Sequence, residues 1–212
     1  MDFVHRYQYP VRTLSEKLAD GAMHAVGLCG ALAVVTWVTL ARPDLHSLPM
    51  GLYLAIVILA LAVSAAYHLT PDEDWREPLR RLDHAAIFLQ IAATYTPLVF
   101  AVGSGFVALG VIWAFALTCA VCKVHFGPWP EWLSQGAYLT LGWLSGVVLW
   151  PLIQIVDVSV SMMIVAGGLT LSMGMVFLNW TKLLYSMAIW HGFVLVAISL
   201  FFASVIQVVA YI

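Results

Sequence analysis

The chain has 212 residues, of which 63% are hydrophobic and only 9% are charged, and its formal net charge is −2. A soluble domain carries about 25% charged residues, so a soluble fold would lack the polar side chains needed to cover its surface. The sequence has no basic patch, and we expect no nucleic-acid partner. Long apolar runs instead predict an all-α integral membrane protein whose partners are membrane lipids.

Seven apolar segments are long enough to cross a bilayer as helices of about 20 residues. Each must be helical, because an open strand edge cannot satisfy its backbone hydrogen bonds in lipid. The seven segments predict one helical bundle domain over residues 20–212, preceded by a polar tail over residues 1–19. In chain order the predicted spans are roughly residues 20–41, 48–69, 83–102, 106–123, 131–151, 158–179 and 185–210.

Lysine and arginine predict the orientation of this bundle. With seven spans, the N-terminal tail shares a side with the loops after the second, fourth and sixth spans. That side carries every basic residue of the chain except Arg42. Because basic residues concentrate on the cytoplasmic side, we predict a cytoplasmic N-terminal tail and a C-terminus outside. The tail contains no short apolar segment of the kind that precedes a signal-peptide cleavage site.

The first predicted span begins with ionisable residues at intervals of four. Glu16, Asp20 and His24 recur at this spacing, so they share one broad face of a helix. Acidic residues at a helix start are favoured by the helix dipole, and this alone would explain Glu16 and Asp20. It does not explain His24, which lies deeper in the span.

The second and third spans meet around a charged segment. Ser64 and His68 stand at i and i+4 near the end of the second span, and Asp83 opens the third. The intervening sequence DEDWREPLRR has mixed charges, and we interpret it as a solvated turn. Asp is a preferred helix cap, so the structural interpretation of Asp83 is an N-cap at the start of the third span.

The seventh span contains His191 without a charged neighbour, and a lone histidine of this kind can be a hydrogen-bonded packing residue. In the seven-span arrangement, however, it lies in the cytoplasmic half of the bundle together with His24, Ser64, His68 and Asp83. Ionisable groups inside a membrane are costly and mark functional sites. Several imidazoles with a carboxylate suit a divalent first-row metal such as Zn²⁺.

These stretches together resemble the hemolysin III family of bacterial membrane proteins. That family is similar to the progestin and adipoQ receptors and more distantly to the alkaline ceramidases. The resemblance implies a multi-pass protein of the bacterial cytoplasmic membrane. The segments that carry the resemblance are SEKLADGAMHAVG, SAAYHLTP, RRLDHAAIFLQIAATYTP, YLTLGWLS and YSMAIWHGFVL.

The resemblance also implies a zinc site near the cytoplasmic face. In such proteins a histidine of the second span and an H-x3-H pair of the last span hold the metal, an aspartate holds water at the zinc, and a serine supports it. The matching positions are His68 and His191 as ligands, Asp83 as catalytic base or further ligand, and Ser64. The first histidine of the last pair is replaced here by Met187.

An intact site of this kind would lower the pKa of a water molecule to about 7 and hydrolyse a lipid amide or ester. A thioether is a poor zinc ligand, so Met187 predicts a zinc site that is weakened or absent. Three alternatives remain open. Asp83 binds the metal directly; His24 or Asp20, which stands where the family has Asn, completes the site from the first span; or no metal binds and the cluster is a hydrogen-bonded polar core.

The competing function is a non-catalytic bundle that maintains membrane homeostasis or senses lipid as a receptor does. A cytolytic pore, which the family name suggests, is disfavoured because no row of polar residues follows a path through both leaflets. The outer halves of the spans lack ionisable partners apart from Asp157, and this also disfavours an ion transporter.

Overall fold

The computed structural model of the chain describes residues 12–126, 129–144 and 154–211, and within these residues the fold is entirely α-helical apart from one 3-10 turn at Pro43–Leu45. Seven α-helices are present in this part of the chain. They are α1 Leu14–Ala41, α2 Leu48–Leu69, α3 Glu73–Val102, α4 Phe106–His125, α5 Glu131–Trp143, α6 Val158–Asn179 and α7 Ser186–Tyr211.

Six of these helices, all except α5, are long and apolar enough to cross a membrane. The predicted all-α, multi-pass architecture is therefore confirmed. The predicted fifth span begins as α5 at Glu131 and is helical to Trp143. The remainder of that predicted span, residues 145–151, lies outside the described residues.

The packing of the helices brings the first and the last helix together. Helices α1 to α4 pack consecutively, and their connections are short, so neighbouring helices run antiparallel. Helix α7 lies against α1, α3 and α6, and α5 contacts α3, α4 and α6. The starts of α1 and α7 therefore lie at the same end of the bundle as the end of α2.

Helix α1 begins before the predicted edge of the first span. Thr13 and Glu16 form a capping box, in which the Thr13 hydroxyl accepts from the Glu16 backbone N–H at 3.3 Å and the Glu16 carboxylate accepts from the Thr13 N–H at 2.9 Å. This arrangement satisfies two backbone donors that a helix start leaves unpaired. It places Asp20 and His24 within the first turns of a regular helix.

Helix α3 corrects two sequence-based interpretations. It begins at Glu73, and its N-cap is Asp72, whose carboxylate accepts from the Asp74 backbone N–H at 2.9 Å. The interpretation of DEDWREPLRR as a turn is therefore wrong from Glu73 onwards. Asp83 is not an N-cap either, because it lies well inside the helix and is buried.

Charge pairing explains why this polar segment is helical. Glu77 accepts from Arg80 at 2.8 Å and from Arg81 at 3.0 Å, which are the i+3 and i+4 neighbours on the same helix face. The first turn is acidic, as the dipole of a helix start favours. Helix α3 therefore extends beyond its apolar part as a charged first section.

Polar side chains link α5 to its neighbours at this end of the bundle. Such interhelical hydrogen bonds supplement van der Waals packing where the surrounding lipid is as apolar as the side chains. They connect the Lys123 ammonium to the Ser134 hydroxyl at 2.6 Å, the Tyr138 hydroxyl to the His84 carbonyl at 3.1 Å, and the two amides of Gln135 and Asn179 to each other at 2.9 and 3.1 Å.

Candidate metal centre

Three helices bring four potential metal ligands together at one end of the bundle. Asp20 and His24 come from α1, His68 from the last turn of α2, and His191 from the start of α7. One potential ligand atom of each lies within 4.8 Å of those of the other three. Because α7 packs on α1 and α1 packs on α2, residues far apart in sequence meet here.

Asp20 lies at the electrostatic centre of this group, and its side chain is only 3% exposed. Its Oδ1 lies 2.6 Å from His191 Nδ1, and its Oδ2 lies 3.1 Å from Arg12 Nη1 and 3.4 Å from His68 Nδ1. A buried carboxylate is costly unless charged or hydrogen-bonding partners surround it. These three groups provide such partners, so Asp20 is stable as a carboxylate.

His24 is the member of the group that has a buried ring nitrogen without a hydrogen bond among the described residues. This atom is Nε2, which lies 3.9 Å from Asp20 Oδ1. Buried polar atoms are paired in the great majority of cases, so an orphan ring nitrogen needs an explanation. A nitrogen lone pair available to a metal ion supplies that explanation.

The spacing of the three imidazoles supports the same explanation. The His24 ring centre lies 4.4 Å from that of His191 and 5.2 Å from that of His68, and the other pair is 4.6 Å apart. Zinc–nitrogen bonds of about 2.0–2.1 Å place three coordinated imidazole rings roughly 5 Å apart. The residues present therefore fit a divalent metal ion with small adjustments.

The predicted residues of the third helix lie beside this group. Asp83 is buried and lines the same cavity as the Ser64 side chain, but it does not belong to the four-residue group. Ser64, Asp83, His68 and His191 all line one cavity, as the family resemblance implies. Met187 lines the same cavity, one helical turn before His191.

This cavity has a volume of about 480 Å³, which lies within the range of ligand-binding pockets. The histidine and aspartate side chains line one part of it. The rest is bounded mainly by apolar side chains of the later helices, so the cavity suits an amphiphilic ligand. These apolar side chains include Leu139, Ile164, Leu171, Val194, Ile198 and Phe201.

Two contacts that the sequence analysis did not identify fix the group from the N-terminal side. The Glu16 carboxylate accepts from the backbone N–H of Tyr185 at 3.2 Å, which ties the start of α1 to the turn before α7. Tyr185 has φ 61°, a left-handed conformation that is uncommon for a bulky residue. Arg12 pairs with Asp20 but precedes the helix, so helical periodicity does not predict this contact.

These features define a multi-pass helical membrane protein with a buried histidine–aspartate group at one end of its bundle. The chain belongs to the haemolysin III-related family, whose model matches residues 13–202. It is 28% identical over 192 residues to the hemolysin-3 homolog of Bacillus subtilis (strain 168), covering 86% of this chain and 89% of that protein. It is also 28% identical over 205 residues to hemolysin-3 of Bacillus cereus, covering 91% of each chain. No solved structure matches the chain significantly.

Proposed function

We propose that the protein is a zinc-dependent hydrolase that cleaves a lipid amide or ester in the bacterial cytoplasmic membrane. One observation carries the proposal. Three closely spaced imidazoles, one of them with an orphan ring nitrogen, lie beside Asp83 and Ser64 on a cavity with a largely apolar lining. Residues suited to bind a metal, a carboxylate suited to act as a base and a largely apolar pocket therefore lie together, which supports the proposal.

His24, His68 and His191 would hold the metal. A site of three imidazoles is typical of catalytic zinc, because it leaves a fourth position open. In this assignment His24 supplies the imidazole that is missing at Met187. A bound zinc ion supplies Lewis acidity that polarises a carbonyl group and activates water for attack.

The other residues of the cavity have roles that follow from their positions. The Asp83 carboxylate accepts the proton that water loses as it attacks the substrate carbonyl. The Ser64 hydroxyl lines the same cavity as Asp83 and would help to hold the attacking water beside that carboxylate. The apolar walls hold the acyl chain, so that the scissile carbonyl lies near the histidines.

A specific observation favours a second candidate, a non-catalytic lipid-sensing bundle. The Arg12 guanidinium pairs with Asp20 at 3.1 Å, so the carboxylate has a cationic partner without any metal. In this case the Arg12–Asp20 ion pair and the Asp20–His191 hydrogen bond hold a polar core together, and the cavity binds lipid without cleaving it.

Metal analysis of the purified, detergent-solubilised protein tests the proposal. We expect about one zinc per chain, and we expect His24→Ala, His68→Ala and His191→Ala each to lose it, because three imidazoles are the minimum set. His46→Ala is the matched control, since His46 contacts the Val38 carbonyl at the other end of α1. Wild-type protein without metal would support the lipid-sensing alternative.

Hydrolysis of a fluorescent long-chain fatty amide in mixed micelles tests the catalytic step. We expect Asp83→Asn to reduce kcat by roughly 10²–10⁴-fold, the usual contribution of a general base, with the zinc content unchanged. Ser64→Ala should reduce kcat by a smaller factor, because Ser64 only helps to hold the water. Turnover that is unaffected by Asp83→Asn would exclude Asp83 as the base.

A further inference from the structure

We propose that Asp20 is a positioning residue that fixes the ring tautomers of His191 and His68, so that the Nε2 atoms of both rings face the metal. This inference rests on the proposed metal site. Three features of the contacts around the carboxylate support it.

The first feature is the distance between Asp20 and His191. Two ligand atoms on a tetrahedral zinc with bonds of about 2.0–2.1 Å are roughly 3.3 Å apart. The separation of 2.6 Å between Asp20 Oδ1 and His191 Nδ1 is much shorter and is typical of a charge-assisted hydrogen bond. Asp20 Oδ1 and His191 Nδ1 are therefore hydrogen-bonding partners and not ligands of one ion.

The second feature is the direction of that hydrogen bond. An ionised carboxylate has only acceptor atoms, and the Arg12 guanidinium favours the ionised form of Asp20. The proton of the bond must therefore reside on His191 Nδ1. In a neutral imidazole this leaves the lone pair on Nε2, the arrangement of a carboxylate–histidine–zinc triad.

The third feature is that the carboxylate has two oxygens. Oδ1 accepts from His191, while Oδ2 accepts from Arg12 at 3.1 Å and lies 3.4 Å from His68 Nδ1, an ion-pair distance longer than that of a hydrogen bond. An asparagine offers one acceptor oxygen and an NH₂ donor, so it could not present an oxygen to both rings. The two oxygens of Asp20 therefore allow one side chain of α1 to hold the His191 ring by a hydrogen bond and to attract a proton to Nδ1 of His68.

Nitrogen NMR of ¹⁵N-histidine-labelled protein in detergent tests this inference, because protonated, unprotonated and metal-bound ring nitrogens have distinct shifts. Signals are assigned by comparison with His191→Ala and His68→Ala. In the metal-free protein we expect a proton on Nδ1 of His191. After zinc is added we expect Nε2 coordination at both histidines. Coordination through Nδ1 of His191, or a metal-free ring protonated on Nε2, would overturn the inference.

Zinc affinity supplies the second readout. We expect Asp20→Asn to weaken zinc binding 10- to 100-fold, the usual effect of removing such a partner, while the stoichiometry stays near one zinc per chain. Asp20→Glu should recover part of the affinity. Asp44→Asn is the control, because Asp44 pairs with Arg42 at the other end of α1.

These outcomes separate the inference from the proposed function. A protein that binds no zinc would contradict the proposed function, while the metal-free NMR spectrum would still report the His191 tautomer. Complete loss of stoichiometric zinc in Asp20→Asn, with Asp20→Glu fully active in binding, would identify Asp20 as a direct ligand and overturn the positioning role.

Discussion

Met187 is the residue at which this chain differs most clearly from the metal site that its family resemblance implies. Its side chain lines the cavity one turn before His191, so a histidine here would face the same space. We predict that Met187→His raises zinc affinity on the order of tenfold or more and lowers turnover, because a fourth imidazole closes the open position. Zinc titration and the fatty-amide assay measure these two effects.

Met187→Leu is the matched control for this prediction. It conserves volume and removes only the sulfur, so both zinc affinity and turnover should remain near wild type. Loss of zinc in Met187→Leu would identify the thioether as a ligand. Zinc that binds only after Met187→His would contradict the assignment of His24 as the third ligand.

The period-four spacing of Glu16, Asp20 and His24 was sufficient to predict that these residues share a face and lie near the site. What the spacing could not predict was the division of their roles, because that depends on contacts across helices. Asp20 and His191 are hydrogen-bonded although they are 171 positions apart in the sequence. Glu16 accepts from the Tyr185 backbone N–H across 169 positions. Arg12 lies outside the helix, so no periodic signal connects it to Asp20.

At the scale of helices, small residues determine how closely α6 and α7 approach. A Cβ atom added at Gly174 would lie 2.8 Å from the Cβ of Phe193, which cannot move without its helix. Close backbone approach at small residues is a usual means of helix association in membranes. The start of α7, which carries His191, is thus held against α6.

We predict that Gly174→Ala destabilises the protein by about 1–3 kcal/mol, the usual effect of overpacking. Because α7 would be displaced, zinc affinity should fall as well. Unfolding by increasing SDS in mixed micelles measures the first effect and zinc titration the second. Gly30→Ala is the control, since nothing lies within 4 Å of its added Cβ. Equal stability of both variants would show that this contact does not restrict α6 and α7.

Helix α3 has an apolar part that hydropathy predicts and a charged part that hydropathy does not predict. The apolar section of α3 was predicted, and the charged section from Glu73 onwards was interpreted as a turn. That section is helical because Asp72 caps it and Glu77 pairs with arginines on its own face. Capping and i to i+4 pairing act without apolar residues, so a search for apolar runs does not detect them.

For the molecule as a whole, the histidine–aspartate group depends on how three helices are arranged. The start of α1, the end of α2 and the start of α7 meet because a short connection reverses the chain between α1 and α2, and because α7 packs on α1. The seven apolar segments predict that these helix ends lie together, because a seven-span arrangement places His24, His68 and His191 in the same half of the bundle. The sequence did not predict which atoms face one another, because that depends on rotation of each helix about its axis.

The orientation of the bundle remains a prediction from the distribution of basic residues. Thiol labelling of intact cells tests it, with Asp44→Cys or Lys182→Cys placed in a chain whose three native cysteines are changed to serine. Both positions are exposed, and they lie at opposite ends of the bundle. Lys182 lies at the end that carries the histidine–aspartate group and Asp44 at the other. Because basic residues favour the cytoplasm, we expect a membrane-impermeant maleimide to label Asp44→Cys directly and Lys182→Cys only after permeabilisation. The reverse pattern would place the histidine–aspartate group on the outer face and exclude a cytoplasmic-side hydrolase.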